Sequence, residues 1–99
     1  MNNFTVSEII DGDTFNVRGG WSWKMTNGQT VEGVTVRPTG YNTPEVGSWG
    51  YQNAKNKLTN LIHGKIVELR NPVTVSYNRI VCDVYYNGRN LADYFPEHQ

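Results

Sequence analysis

Cysteine is almost absent from this sequence, where Cys82 stands alone. A lone thiol excludes an internal disulfide and a zinc site built on paired cysteines, and its place in the apolar run Ile80-Val81-Cys82-Asp83-Val84 marks a packed side chain. Surplus charge is missing as well. Nine Lys plus Arg offset nine Asp plus Glu, so no net positive field draws the molecule toward DNA or RNA, and any grip on phosphate has to be local. No apolar run approaches the roughly 20 residues of a membrane span, and the polar start Met1-Asn2-Asn3-Phe4 lacks the apolar core of a signal peptide. The expectation is a chain with no membrane partner and a cytoplasmic location. Length is short too, and 99 residues suit one domain, residues 1–99, rather than two independent cores.

What the sequence does have is punctuation. Ten Gly, four Pro and a complement of three Trp, six Tyr and three Phe divide short apolar runs, which points to a compact β-rich fold. Phe4 to Ile10 alternates and meets Asp11-Gly12-Asp13, a tight turn into a second strand, Thr14 to Arg18. Gly19-Gly20 marks a bulge or bend. Trp21 to Thr26 and Gln29 to Arg37 then flank Asn27-Gly28, read as a two-residue hairpin turn. Pro38 and Gly40 take the third strand out of the sheet near Arg37.

Beyond the loop Tyr41-Asn42-Thr43-Pro44-Glu45, the residues Tyr51, Ala54, Leu58, Leu61 and Ile62 recur at helical spacing, with Ser48 as an N-cap candidate and Gly64 as a stop. Lys65 to Arg70 and Arg79 to Tyr86 are strand-like, and the second puts Ile80, Cys82, Val84 and Tyr86 on one face with Arg79 on the other. Asn87-Gly88 is a turn, and Asn90 can cap a short helix, Leu91 to Phe95, that Pro96 ends. Three strands, a helix, two strands and a short helix make the order of a five-stranded oligonucleotide-binding (OB) barrel, mainly β with helices, whose long helix lies between strands three and four. Such a fold does not fix a function.

Phosphodiester hydrolysis needs a cation or cationic side chains on the equatorial oxygens, a group to orient or deprotonate water, and donors matched to the developing charge. Asp11 and Asp13 bracket Gly12 on a turn and supply hard oxygen ligands of the kind Ca²⁺ takes; the same three residues also make an ordinary turn. Arg37 can offer its planar fork to two phosphate oxygens, and Glu45 follows beyond a Pro-braced loop. Alone, the two could be a simple ion pair. Arg79, after Tyr77-Asn78, is in isolation a solvated arginine at a strand end. His63, at the helix C-terminus, and His98, in the tail, are read as solvated.

Taken in order, Ile10-Asp11-Gly12-Asp13-Thr14-Phe15, Val36-Arg37, Asn42-Thr43-Pro44-Glu45, Gly50 with Ala54 and Leu58, Gly64-Lys65 and Tyr77-Asn78-Arg79 resemble the staphylococcal nuclease (thermonuclease) family across nearly the whole chain. The resemblance implies that Asp13 binds a catalytic Ca²⁺ with the Thr43 carbonyl, while Asp11 stands behind them. It implies that Glu45 acts on the attacking water and that Arg37 and Arg79 hold the phosphate in the transition state. The implied activity is endonucleolytic cleavage of DNA or RNA that leaves 3′-phosphates. The other function class is an OB barrel that binds nucleic acid or a protein partner without cleaving.

Three departures from the family bear on these expectations. Asn42 stands where the best-known members carry an Asp that ligates the metal, so the ligand is kept but its charge is lost. The family commonly continues past the point matching Gln99 into a further helix and tyrosines that flank the nucleotide. The interval from Asp13 to Arg37 is longer and adds Trp21 and Trp23, which either stack on bases or, the favoured reading, pack or associate. Trp49, after Glu45, and Tyr77, before Arg79, are the candidate substrate-binding aromatics, with packing as the alternative for Tyr77.

Overall fold

The computed structural model describes residues 2–99. It contains β1 (Asn3–Asp11), β2 (Thr14–Lys24), β3 (Thr30–Pro38), α1 (Tyr51–Ile62), β4 (Ile66–Ser76), β5 (Arg79–Tyr86) and a two-residue β6 (Arg89–Asn90), followed by 3-10 turns over Leu91–Tyr94 and Pro96–His98. Antiparallel pairing runs β3-β2-β1-β4-β5, and β3 then pairs in parallel with β5 to close a five-stranded barrel. The helix lies between the third and fourth strands, as the order of apolar periodicities implies. Among the described residues no helix is long and apolar enough to cross a membrane.

Alternation along each strand fills the barrel. Phe15, Val17, Val36, Leu69, Ile80, Cys82 and Val84 face inward and are buried, and Ala54, Leu58 and Ile62 of α1 close the same core. Burial pushes the Cys82 thiol up to about 12, so this cysteine is a packed neutral side chain. Trp21 is only 2% exposed. Its ring lies where a side chain on Gly33 would stand, and its Nε1 donates to the Thr35 carbonyl at 2.9 Å. Trp23 packs against the core rim. Trp21 therefore follows the packing alternative, while Trp23, half-buried, packs only in part.

The structure corrects several local readings. The β2–β3 hairpin is not closed by two residues: Met25 N donates to Gln29 O and Gly28 N to Met25 O. The loop is thus the three residues Thr26-Asn27-Gly28, with Gly28 in the left-handed region at φ 89°, a turn followed by a glycine bulge. The helix starts at Tyr51 with Gly50, at φ 84°, as N-cap and no side-chain cap, so Ser48 does not cap it. β4 runs past Arg70 to Ser76 because Asn71, at φ 53°, carries a bulge that absorbs Asn71-Pro72 and lets the ladder resume at Thr74. The short C-terminal helix is a 3-10 turn, capped as expected by Asn90 Oδ1 accepting from Ala92 N at 2.9 Å. The tail is not frayed, since Pro96–His98 forms a second such turn and the His98 carbonyl accepts from Asn42 N at 3.0 Å.

One polar cluster fastens the closing seam. Asp83 accepts from Thr39 Oγ1, just past the end of β3, and from Asn71 Nδ2 at 2.9 Å in the bulge of β4. These bonds, Asn71 first, hold the Asp83 carboxyl below its ordinary value of 3.8. A folded-state pKa below the unfolded one means stability that is present above about pH 4 and lost as pH falls through the lowered value. Asp83→Asn is expected to cost about 1 kcal/mol at pH 7, because one of the two bonds is lost and the other becomes a neutral one, and to flatten the acid limb of the stability curve. Urea unfolding between pH 7 and pH 3 checks both.

Candidate functional site

The parallel seam decides where the cationic side chains go. Thr35 pairs with Arg79 and Arg37 with Val81, while Val36 and Ile80 point into the core. Alternation therefore puts Arg37 and Arg79 on the same outward face of two neighbouring strands. The β1–β2 turn adds the acids. Asp13 N donates to Asp11 Oδ1 at 3.1 Å, the side-chain turn that Asp favours. The loop after β3 brings Asn42, Thr43, Pro44 and Glu45. Together Asp11, Asp13, Arg37, Asn42, Thr43, Pro44, Glu45 and Arg79 line one cleft of about 240 Å³.

Asp13 is the hub of this cleft and is 8% exposed. Its Oδ1 accepts from Thr14 Oγ1 at 3.3 Å, and its Oδ2 accepts from Thr43 N at 3.1 Å and lies 3.7 Å from Arg37 Nη2. The same Nη2 donates to Asn42 Oδ1 at 2.5 Å. Arg37 thus spans the aspartate turn and the loop. Burial lifts the Asp11 carboxyl above its usual range, and the neighbouring Asp13 adds to the rise. Glu45 is exposed and makes no side-chain hydrogen bond or ion pair among the described residues, which leaves both oxygens available to water. Arg79 Nε makes a long 3.4 Å contact with the Ser76 carbonyl, and its guanidinium lies 5.7 Å from the centre of the Tyr77 ring.

The donor chemistry suits a hard divalent cation, since the cleft offers carboxylate, amide and carbonyl oxygens and no sulfur or imidazole. Among the described residues no three His, Cys, Asp or Glu converge on one point. A cation here would have to draw on neutral oxygens beside Asp13, and Asn42 Oδ1, which accepts from Arg37, is one such group on the loop. Thr43 Oγ1 is buried without a partner next to Gly12, where a Cβ would stand 2.7 Å from it. That approach explains the glycine: any side chain at position 12 would drive the loop and Ala54 of α1 away from the turn.

Two sequence candidates lie outside the cleft lining. Trp49 is 99% exposed and borders a separate shallow groove with Gly47, Ser48, Gly50, Gln52 and Asn53. Tyr77 is 88% exposed at the β4–β5 turn, where it and Asn78 hold positive φ as a primed hairpin turn requires. One residue of the site had no signal in the sequence reading. Tyr41 is buried, and its hydroxyl donates to the Gly12 carbonyl at 2.9 Å. Burial raises its phenol well above the usual range, and the charges of Asp13 and Asp11 raise it further, so the hydroxyl remains a donor. An aromatic immediately before the site loop was the only clue available. In comparisons with known proteins, no family model matches this chain and no curated protein matches it at a significant level.

Proposed function

We propose that the cleft hydrolyses phosphodiester bonds of DNA or RNA endonucleolytically, with Ca²⁺, and leaves 3′-phosphates. One observation carries the reading. Three regions far apart in the chain, Asp11–Asp13, Arg37 with Asn42–Glu45, and Arg79, supply the polar walls of a single small cleft. Their order and spacing, similar to the staphylococcal nuclease family, support the same assignment.

In this reading Arg37 and Arg79, on one face of the closing seam, take the non-bridging oxygens of the scissile phosphate. Their forks also fit the charge that builds on those oxygens as the phosphorus becomes pentacoordinate. Glu45, unpaired at the rim, accepts a proton or hydrogen bond from the attacking water and aims it in line with the leaving oxygen. Asp13, the Asn42 amide oxygen and the Thr43 carbonyl would hold the cation, with Asp11 behind them. Bound there, Ca²⁺ would offset phosphate charge. Arg37, which holds Asn42 Oδ1 through Nη2, keeps its remaining N–H groups for phosphate oxygens. Trp49 and Tyr77, both exposed and close in sequence to Glu45 and Arg79, would stack on bases flanking that phosphate.

Asn42, a neutral ligand already engaged by Arg37, also supports the second reading, an OB barrel that binds nucleic acid or a protein without cleaving, because it brings no charge to a cation. A calcium titration of single-stranded DNA cleavage separates the two. The wild type is expected to cleave with weak half-saturation, and Asn42→Asp to tighten that half-saturation by roughly an order of magnitude through the added ligand charge. Half-saturation unchanged by Asn42→Asp would remove Asn42 from the ligand set. No cleavage by either protein, with DNA binding retained, favours the second reading.

A further inference from the structure

We propose that Tyr41 is a positioning residue of the cleft, clasped by the C-terminal turns and holding the Asp11-Gly12-Asp13 turn so that its carboxylates face the ligand loop. The proposal rests on the reading of the cleft as a cation and phosphate site.

The Tyr41-Asn42 pair is tied at three points, one in the β1–β2 turn and two in the C-terminal turns. The Tyr41 hydroxyl donates to the Gly12 carbonyl at 2.9 Å in the β1–β2 turn. The Tyr41 ring stacks on Phe95, with centroids 4.5 Å apart and planes 10° from parallel. Asn42 N donates to the His98 carbonyl at 3.0 Å. The C-terminal turns are in turn pinned to α1: Lys57 Nζ pairs with Glu97 Oε1 at 2.7 Å and lies 4.6 Å over the Phe95 ring. Helix, tail, loop and aspartate turn thus form a closed circuit that passes through one phenol.

The hydroxyl is what makes this more than packing. A phenylalanine at position 41 would keep the stack on Phe95 but leave the buried Gly12 carbonyl without a donor. Gly12 sits between the two acids, so a turn that shifts to satisfy its carbonyl carries Asp11 and Asp13 with it. Asp13 would then lose register with Thr43 N, its anchor on the loop. Tyr41 itself is buried and does not line the cleft, so it acts on ligands only through the turn.

The test uses the full chain and three variants. Calorimetric titration with Ca²⁺ alone is expected to show Tyr41→Phe binding about tenfold more weakly, the scale at which residues that orient metal ligands act. The amide NMR signals of Asp13 and Thr43 are expected to move, while kcat at saturating Ca²⁺ changes little. Lys57→Ala, at the exposed outer end of the clasp, is expected to weaken Ca²⁺ binding in the same direction and by less. Val84→Ala, a core truncation in β5, is expected to lower Tm without changing Ca²⁺ affinity. Unchanged affinity and unmoved Asp13 and Thr43 signals in Tyr41→Phe would overturn the proposal and reduce Tyr41 to packing. If the wild type binds no Ca²⁺, the metal reading of the cleft fails separately, and the amide signals alone decide whether Tyr41 positions the turn.

Discussion

Arg37→Ala is expected to lower kcat on single-stranded DNA by about 10²- to 10³-fold, the loss that follows removal of one preorganised donor from a charged transition state. The size follows from what Arg37 does in two states. At rest its Nη2 lies between Asp13 Oδ2 and Asn42 Oδ1. In the proposed reaction its remaining N–H groups meet phosphate oxygens whose charge grows at the transition state. Arg37→Lys is not expected to rescue more than a small part, because a point charge cannot replace two parallel N–H bonds. The same substitutions should leave the fold intact, as Arg37 faces outward from the seam and its neighbours Val36 and Ile80 supply the buried contacts. Steady-state kinetics with a urea melt on each variant checks both halves, and a kcat within threefold of wild type would take Arg37 out of the mechanism.

The second large effect is on stability. Phe95→Ala is expected to cost about 3–5 kcal/mol, a substantial part of the roughly 5–15 kcal/mol that a domain of this size has. Phe95 is fully buried and joins the Tyr41 stack to Lys57 of α1. Its removal opens a cavity beneath the ligand loop and frees the C-terminal turns. Denaturant unfolding is expected to show the midpoint falling sharply, with Ca²⁺ affinity falling with it. A loss below about 1 kcal/mol would mean that the C-terminal turns are a surface ornament rather than part of the core.

The barrel was legible because its signals are local. Alternation named the inward residues of β5, Ile80, Cys82 and Val84, and Asp-Gly-Asp and Asn-Gly marked where strands reverse. Where one signal had two outcomes, the reading slipped. Asn27-Gly28 fits both a two-residue turn and the end of a three-residue loop, and only the Met25–Gln29 pairing selects the second. Ser48 is a good cap by type, yet Gly50 takes the role because the loop enters the helix through a left-handed residue. Asn71-Pro72 looks like a strand end, and it is a bulge only because β5 continues opposite it.

The cleft was legible in the same partial way. Its carboxylates and arginines were named from their order, and the structure gathers Asp11, Asp13, Arg37, Asn42, Thr43, Glu45 and Arg79 into one cleft. Which face Arg37 and Arg79 share could not be read locally, because it depends on the parallel register of β3 with β5. The roles of Tyr41 and of the His98 carbonyl are hidden for a related reason: their partners, Gly12 and Asn42, are distant in sequence, and no spacing rule connects them. Chain proximity to Glu45 makes Trp49 a candidate for the site, but the loop after Glu45 carries it to a neighbouring groove.

The most direct test of the central claim is an incubation of purified wild type, Arg37→Ala and Glu45→Ala with single-stranded DNA, with millimolar Ca²⁺ and with chelator, followed by analysis of the product ends. If the cleft is a nuclease site, the wild type cleaves to 3′-phosphates only with Ca²⁺ and each variant loses about two orders of magnitude or more. Cleavage that survives both substitutions, or a wild type that binds the strand and leaves it whole, would contradict that reading.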